Sequence, residues 1–141
     1  MTQRRILLDT GVIVAALNQR DPDHVRVVEW LAPVRASWFT TEGVLVEASH
    51  LLRKTTGTVQ RVVQFVAGLR CAVVPLSPSR RARAVEIIEA HPSLRLDLVD
   101  AVLCALSEEL RIDELASLDR RDSMAVRRPG RPRFLVNPPK G

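Results

Sequence analysis

Apolar residues recur along the chain in short blocks, and successive blocks alternate between the period of a strand and that of a helix. Arg5-Ile6-Leu7-Leu8-Asp9 is a compact apolar run closed by an acid, which predicts a buried strand. Thr10-Gly11 then opens a helical stretch to Leu17 and Asn18. Asp21-Pro22-Asp23 is a helix start, with Asp21 as cap and Pro22 in the first position. That helix is expected to bury Val25, Val28, Trp30 and Leu31 before Pro33 ends it. Ser37-Trp38-Phe39-Thr40 predicts a short strand, and residues 42–54 a helix capped by Thr40 or Thr41. A further helix over 59–69, a strand over 71–76 and a helix begun by Ser77-Pro78 follow, the last carrying Ala82, Val85, Ile87 and Ile88. Residues 96–110 carry the strongest helical pattern, 115–119 form a second strand ending in an acid, and 133–136 a last edge strand. Strands alternating with helices, with neither repeat nor linker, predict an α/β fold. Its layers number three, around a mainly parallel sheet, with residues 1–141 forming one domain.

Composition narrows the compartment. The 141 residues are 46% hydrophobic and only 4% aromatic, enough aliphatic material for one core without staples. Cys71 and Cys104 lie in apolar runs and lack zinc-ligand spacing, so both are expected as buried thiols in a reducing compartment. No apolar stretch approaches the length of a membrane span, and Asp9 interrupts the one run that resembles a leader. A cytoplasmic protein with no membrane partner is the expectation.

Charge adds a partner. From Arg120 onward there are seven basic residues and a single acid, Asp122, a net +6 that leaves −1 for residues 1–119. Nineteen of the 21 cations are arginine, the side chain suited to bidentate phosphate contacts. A near-neutral body with a basic segment at 120–141 suggests nucleic acid, with Arg127 and Arg128 as candidate RNA contacts.

Four carboxylates stand out by position. Asp9 and Asp119 each close an apolar strand, and in an open parallel sheet ligands bind beyond the carboxyl ends of the strands. Capping a helix is the ordinary job for an aspartate such as Asp9, and a turn that for Asp119. Glu47 falls between Val44 and Leu51 in what should be the buried stripe of its helix, where a glutamate without a partner is seldom found. Asp97 and Asp100 share a face at the start of the 96–110 helix; the helix dipole explains Asp97, but Asp100 leads into Ala101-Val102-Leu103. Acids converging on one rim repel each other, and a divalent cation relieves that repulsion. Carboxylate oxygens without histidine or cysteine spacing point to Mg²⁺ or Mn²⁺. An acidic rim beside a basic segment suits metal-assisted phosphodiester hydrolysis. The chain has no glycine-rich phosphate loop and no G-x-S-x-G, and His24, His50 and His91 lie in unrelated elements.

Four segments in order carry a family resemblance: Leu7-Leu8-Asp9-Thr10-Gly11-Val12, Thr41-Glu42-Gly43-Val44-Leu45-Val46-Glu47, Leu96-Asp97-Leu98-Val99-Asp100-Ala101 and Ser117-Leu118-Asp119-Arg120-Arg121-Asp122. The chain resembles the PIN-domain nucleases, specifically the VapC-type toxins of bacterial toxin–antitoxin pairs. The resemblance implies a Rossmann-like fold and an Mg²⁺- or Mn²⁺-dependent endoribonuclease. It also implies homodimerisation and inhibition by a cognate antitoxin. It implies a catalytic set of Asp9, Glu47, Asp100 and Asp119, with Asp9 and Asp100 holding the metal and Thr10, Asp97 and Asp122 in support. Ser123 stands where the family often has an aromatic, which leaves Asp122 as the alternative to Asp119 for the fourth acid. A housekeeping PIN nuclease of RNA processing would use the same residues, whereas a non-catalytic RNA-binding module would have a degenerate set.

Overall fold

A computed structural model describes residues 3–54 and 59–118, together with the backbone of one short strand, Arg133–Phe134. The elements run β1 (Arg5–Leu8), α1 (Thr10–Leu17), α2 (His24–Leu31), β2 (Ser37–Thr41), α3 (Glu42–Arg53) and α4 (Gln60–Gly68). They continue with β3 (Ala72–Val74), α5 (Pro78–Ala90), a 3₁₀ turn (Pro92–Leu94), α6 (Leu98–Leu110), β4 (Glu114–Ala116) and β5 (Arg133–Phe134).

All pairings are parallel and the strand order is β3-β2-β1-β4-β5. β1 lies in the interior, which is why Ile6, Leu7 and Leu8 are all apolar and all fully buried, with no alternation between faces. The chain steps outward from β1 to β2 to β3, then returns to place β4 on the other side of β1. Right-handed crossovers put α1–α4 on one face and α5–α6 on the other, giving the expected three layers. Packing agrees, because α1 meets α2, α3 and α4, while α5 packs on α6. The reversal between β1 and β4 is a topological switch point, where an open parallel sheet leaves a crevice beyond its carboxyl edge.

Three boundaries differ from the sequence pattern, each for a local reason. α2 starts at His24, two residues later than Pro22: Asp21 accepts from the Asp23 amide through its carboxylate and from the His24 amide through its carbonyl, which closes a turn that leads into the helix. Its fully buried residue is Val27; Val25 and Val28 are exposed. β3 stops at Val74, before Pro75, which has no amide to donate. β4 stops at Ala116, so the strand does not reach Asp119, which lies outside the described residues. On α5 the fully buried side chains are Ala84 and Ile87, with Val85 exposed. Arg80–Glu109 at 2.8 Å and Arg83–Glu108 at 2.7 Å tie α5 to α6 across the surface. At that exposure the pairs orient the helices more than they stabilise them.

Three arginines occupy left-handed backbone: Arg70 after α4, Arg95 after the 3₁₀ turn and Arg111 after α6, with φ of 53°, 49° and 53°. Glycine is the usual residue there because a Cβ is strained. Arg70→Gly should therefore raise stability by roughly 0.5–1 kcal/mol, the left-handed strain relieved less the extra freedom of glycine in the unfolded chain. Arg70→Ala should not, and thermal denaturation of the two variants checks it.

Candidate active site

The site is built around the end of β1. The Asp9 amide donates to the Ala116 carbonyl at 3.0 Å, extending the β1–β4 ladder one step past the strand. On the other side, Thr40 Oγ1 donates to the Leu8 carbonyl at 2.8 Å, so β2 also grips this end. The Asp9 carboxylate caps α1: Oδ1 accepts from the Thr10 amide at 2.7 Å. Its other oxygen, Oδ2, accepts from Ser117 Oγ at 2.8 Å. The aspartate thus serves as a cap, as its position alone suggested, and is also fixed from β4. The chain after β4 passes beside Gly11, where a Cβ would stand in ordinary contact, 3.7 Å from Leu118 Cβ.

Asp100 approaches the same rim in the first turn of α6. Asp97 caps that helix, its Oδ1 accepting from the Asp100 amide at 2.9 Å. The first turn of α6 lies against that of α3: a Cβ at Gly43 would stand 3.4 Å from Val99 Cγ2, at the close end of ordinary contact. The Asp100 carboxyl is pushed up to about 7, first by burial, then by the neighbouring charges of Asp97 and Asp9. Asp100 is thus held where it does not easily keep its charge without a cation. Thr10 is buried next to Asp9, and its Oγ1 has no hydrogen-bond partner among the described residues. Hard oxygen donors, mutual repulsion and an orphaned hydroxyl all fit a divalent cation.

The other expected residues are less closely gathered. Glu47 is half-buried on α3, but the buried stripe of that helix is Val44, Ala48 and Leu52, with Leu51 exposed. The glutamate borders the stripe instead of interrupting it, and its charge is not among those acting on Asp100. No group of three His, Cys, Asp or Glu side chains among the described residues converges enough to hold an ion. Asp119, Asp122, Arg127 and Arg128 lie outside the described residues. The histidines are spent elsewhere or exposed: His24 Nδ1 pairs with the Ala15 carbonyl and His91 Nδ1 with that of Ile87, while His50 faces solvent. Thr40 and Ser117 touch the site in ways the sequence pattern did not give them: Thr40 stood as one of two candidate caps for the next helix, a role that falls to Thr41, and Ser117 only as part of a strand and of a family segment.

Comparison with known proteins places this arrangement. The PIN domain profile matches residues 6–127. Ribonuclease VapC26 of Mycobacterium tuberculosis is 24% identical over 135 residues, covering 94% of this chain and all of that protein. The fold is similar to the crystal structure of VapC20 of Mycobacterium tuberculosis, a sarcin-ricin loop cleaving toxin. The TM-score is 0.79, with 22% identity, over 90% of this chain and 99% of that one. A toxin–antitoxin complex from Klebsiella pneumoniae superposes with a TM-score of 0.65 and 18% identity, over 89% of this chain and 93% of that one.

The raised Asp100 has a consequence for stability without metal. The folded chain keeps this proton up to about pH 7, whereas an unfolded aspartate loses it near ~3.9. The stability that Asp100 contributes is therefore complete below about pH 4 and is lost as pH rises through about 7. Asp100→Asn should flatten this decline and raise the melting temperature above neutrality in chelator, read from melts across roughly pH 4 to 8.

Proposed function

The chain belongs to the PIN-domain family, and from that premise we propose that it is a divalent-cation-dependent endoribonuclease acting as the toxin of a toxin–antitoxin pair. The observation that carries the reading is the pairing of Asp9 and Asp100 at the switch point, with Asp100 pushed up to about 7 by burial and neighbouring charge. The ribonuclease relative and the toxin neighbours support it.

In this reading Asp9 and Asp100 hold Mg²⁺ or Mn²⁺, with Glu47 and either Asp119 or Asp122 completing the outer shell or orienting water. When bound, such a cation supplies Lewis-acid activation of water and neutralises charge on the phosphate. The chain's own part is positional. Asp9 is held through both oxygens, Oδ1 by the Thr10 amide and Oδ2 by the Ser117 hydroxyl. Thr10 Oγ1 is available to a water or a substrate oxygen. Arg127 and Arg128 meet RNA phosphates, which the near-neutral body does not attract. The products carry 5′-phosphate and 3′-hydroxyl ends. The protein acts in the cytoplasm as a homodimer, silenced by a cognate antitoxin.

Asp100→Asn should abolish Mg²⁺-dependent RNA cleavage while retaining the cooperative melt; cleavage at wild-type rate would refute the metal assignment. Inducing the wild-type chain alone should arrest growth, and Asp9→Asn should relieve the arrest. Healthy growth with soluble wild-type protein would favour a housekeeping nuclease. Arg127→Ala with Arg128→Ala should weaken RNA binding and flatten its log–log salt dependence by about 1 to 1.5, at ~0.7 per phosphate contact on single strands. Binding measured across a salt series reads this directly, and turnover at saturating RNA should change little.

A further inference from the structure

We propose that the end of α3 and the outer face of α4, with Arg53, Lys54, Arg61 and Arg70, form a second RNA-binding surface that grips phosphates remote from the bond that is cut. The inference rests on the ribonuclease reading above and gives the substrate a path over the body of the protein.

Residues 1–119 sum to near zero only because opposite charges are segregated along the chain. Residues 48–85 hold seven cations and no acid, whereas residues 86–119 hold nine acids against Arg95 and Arg111. A surface that is merely soluble intersperses both signs; segregation creates fields of one sign that steer a charged ligand. The attraction for phosphate that the body lacks as a whole it therefore has locally. Of the seven cations, Arg80 and Arg83 are spent on Glu109, Glu108 and Glu86 in the α5–α6 layer. Arg53, Lys54, Arg61 and Arg70 are all exposed, and none has an ion-pair partner among the described residues.

The fold gathers these four. α3 packs on α4; Arg53 ends the first helix, Lys54 follows it, and Arg61 opens the second. On α4 the buried side is Val62 and Val66, and Gln60, Arg61, Gln64 and Gly68 share the outward stripe. That stripe is polar or bare, since a Cβ at Gly68 would meet nothing within 4 Å, so a sugar–phosphate backbone has room to come close. The exposed Val63 lies about 160° around the helix from Arg61. A protein partner gains most from an apolar centre, whereas this stripe offers guanidinium and amide donors, the groups that meet phosphate. Arg70 stands just past α4 in left-handed backbone, where glycine would be unstrained, so its side chain is kept at a cost in stability. α3 links the surface to the acids: its first turn lies against that of α6, and Arg53 follows Gly43 by about 15 Å along the helix axis. Phosphates bound there lie beyond the reacting one.

The test uses the full chain in chelator, where RNA is bound without being cut. The probe is a fluorescein-labelled RNA hairpin with single-stranded flanks, followed by anisotropy across a salt series. Arg53→Gln with Lys54→Gln and Arg61→Gln should weaken binding roughly tenfold or more at about 0.1 M salt and flatten the log–log slope by about 2, at ~0.7 per phosphate contact. Arg53→Lys with Arg61→Lys keeps the charge and should keep the slope. Arg70→Gly should melt higher yet bind more weakly, a split that a purely structural residue would not give. The control removes charge elsewhere: Arg20→Gln with Arg111→Gln should leave the slope at its wild-type value. If the triple variant does not fold, Arg61→Glu alone takes its place with the same readout. Wild-type affinity and slope in the triple variant would overturn the proposal and leave the surface to a protein partner. Equal flattening by the control pair would overturn it too, because the effect would then be one of net charge. In both cases a wild-type chain that binds the hairpin keeps the ribonuclease reading intact. If the wild-type chain does not bind it at all, that reading falls as well.

Discussion

The hydrogen bond from the Asp9 amide to the Ala116 carbonyl continues the pairing of β1 with β4 just past the point where both strands end. Because β4 enters on the opposite side of β1 from β2, this contact forms the floor of the crevice that the strand order creates. The same contact fixes where Ser117 and Leu118 travel, and so brings a hydroxyl to the carboxylate of Asp9. From the β2 side the same end is held through Thr40. Position of the first acid, orientation of its oxygens and direction of the chain leaving β4 all follow from one ladder step.

The electrostatics follow from the same crowding. On the α5–α6 surface, carboxylates are paired with guanidinium groups. At the rim, the charges of Asp97 and Asp9 act on Asp100 and, with burial, shift its carboxyl upward. Crowding of this kind, in place of pairing, sets the rim apart from the α5–α6 surface.

Much of this was legible in the sequence because it depended on burial and order. Apolar runs marked β1 and α6, and an acid at the end of one or inside the other was out of place, which identified Asp9 and Asp100. The register of amphipathic helices was harder to read. On α3 the run Val44, Leu45, Val46, Ala48, Leu51, Leu52 admits two stripes, and packing on α1 and α4 selected Val44-Ala48-Leu52, displacing Glu47 to the edge. On α2 the same ambiguity favoured Val25 and Val28, whereas the core took Val27. The contacts of Thr40 and Ser117 at the site escaped notice for another reason. Small hydroxyl residues fit apolar strands with little cost, and their partners are fixed by pairing between distant segments, which no local pattern contains.

The span of the Ser117–Asp9 contact, 108 residues, also sets when the site can exist during synthesis. Asp9 is made well before the strand that completes its surroundings, with β2, β3 and every described helix in between. A nascent chain that stops before β4 can form the hydrophobic face of α1–α4 but has neither the Ala116 carbonyl nor the Ser117 hydroxyl to hold the aspartate. The acid at the end of β1 therefore gains its contact from the chain beyond β4 only after 108 further residues have been made.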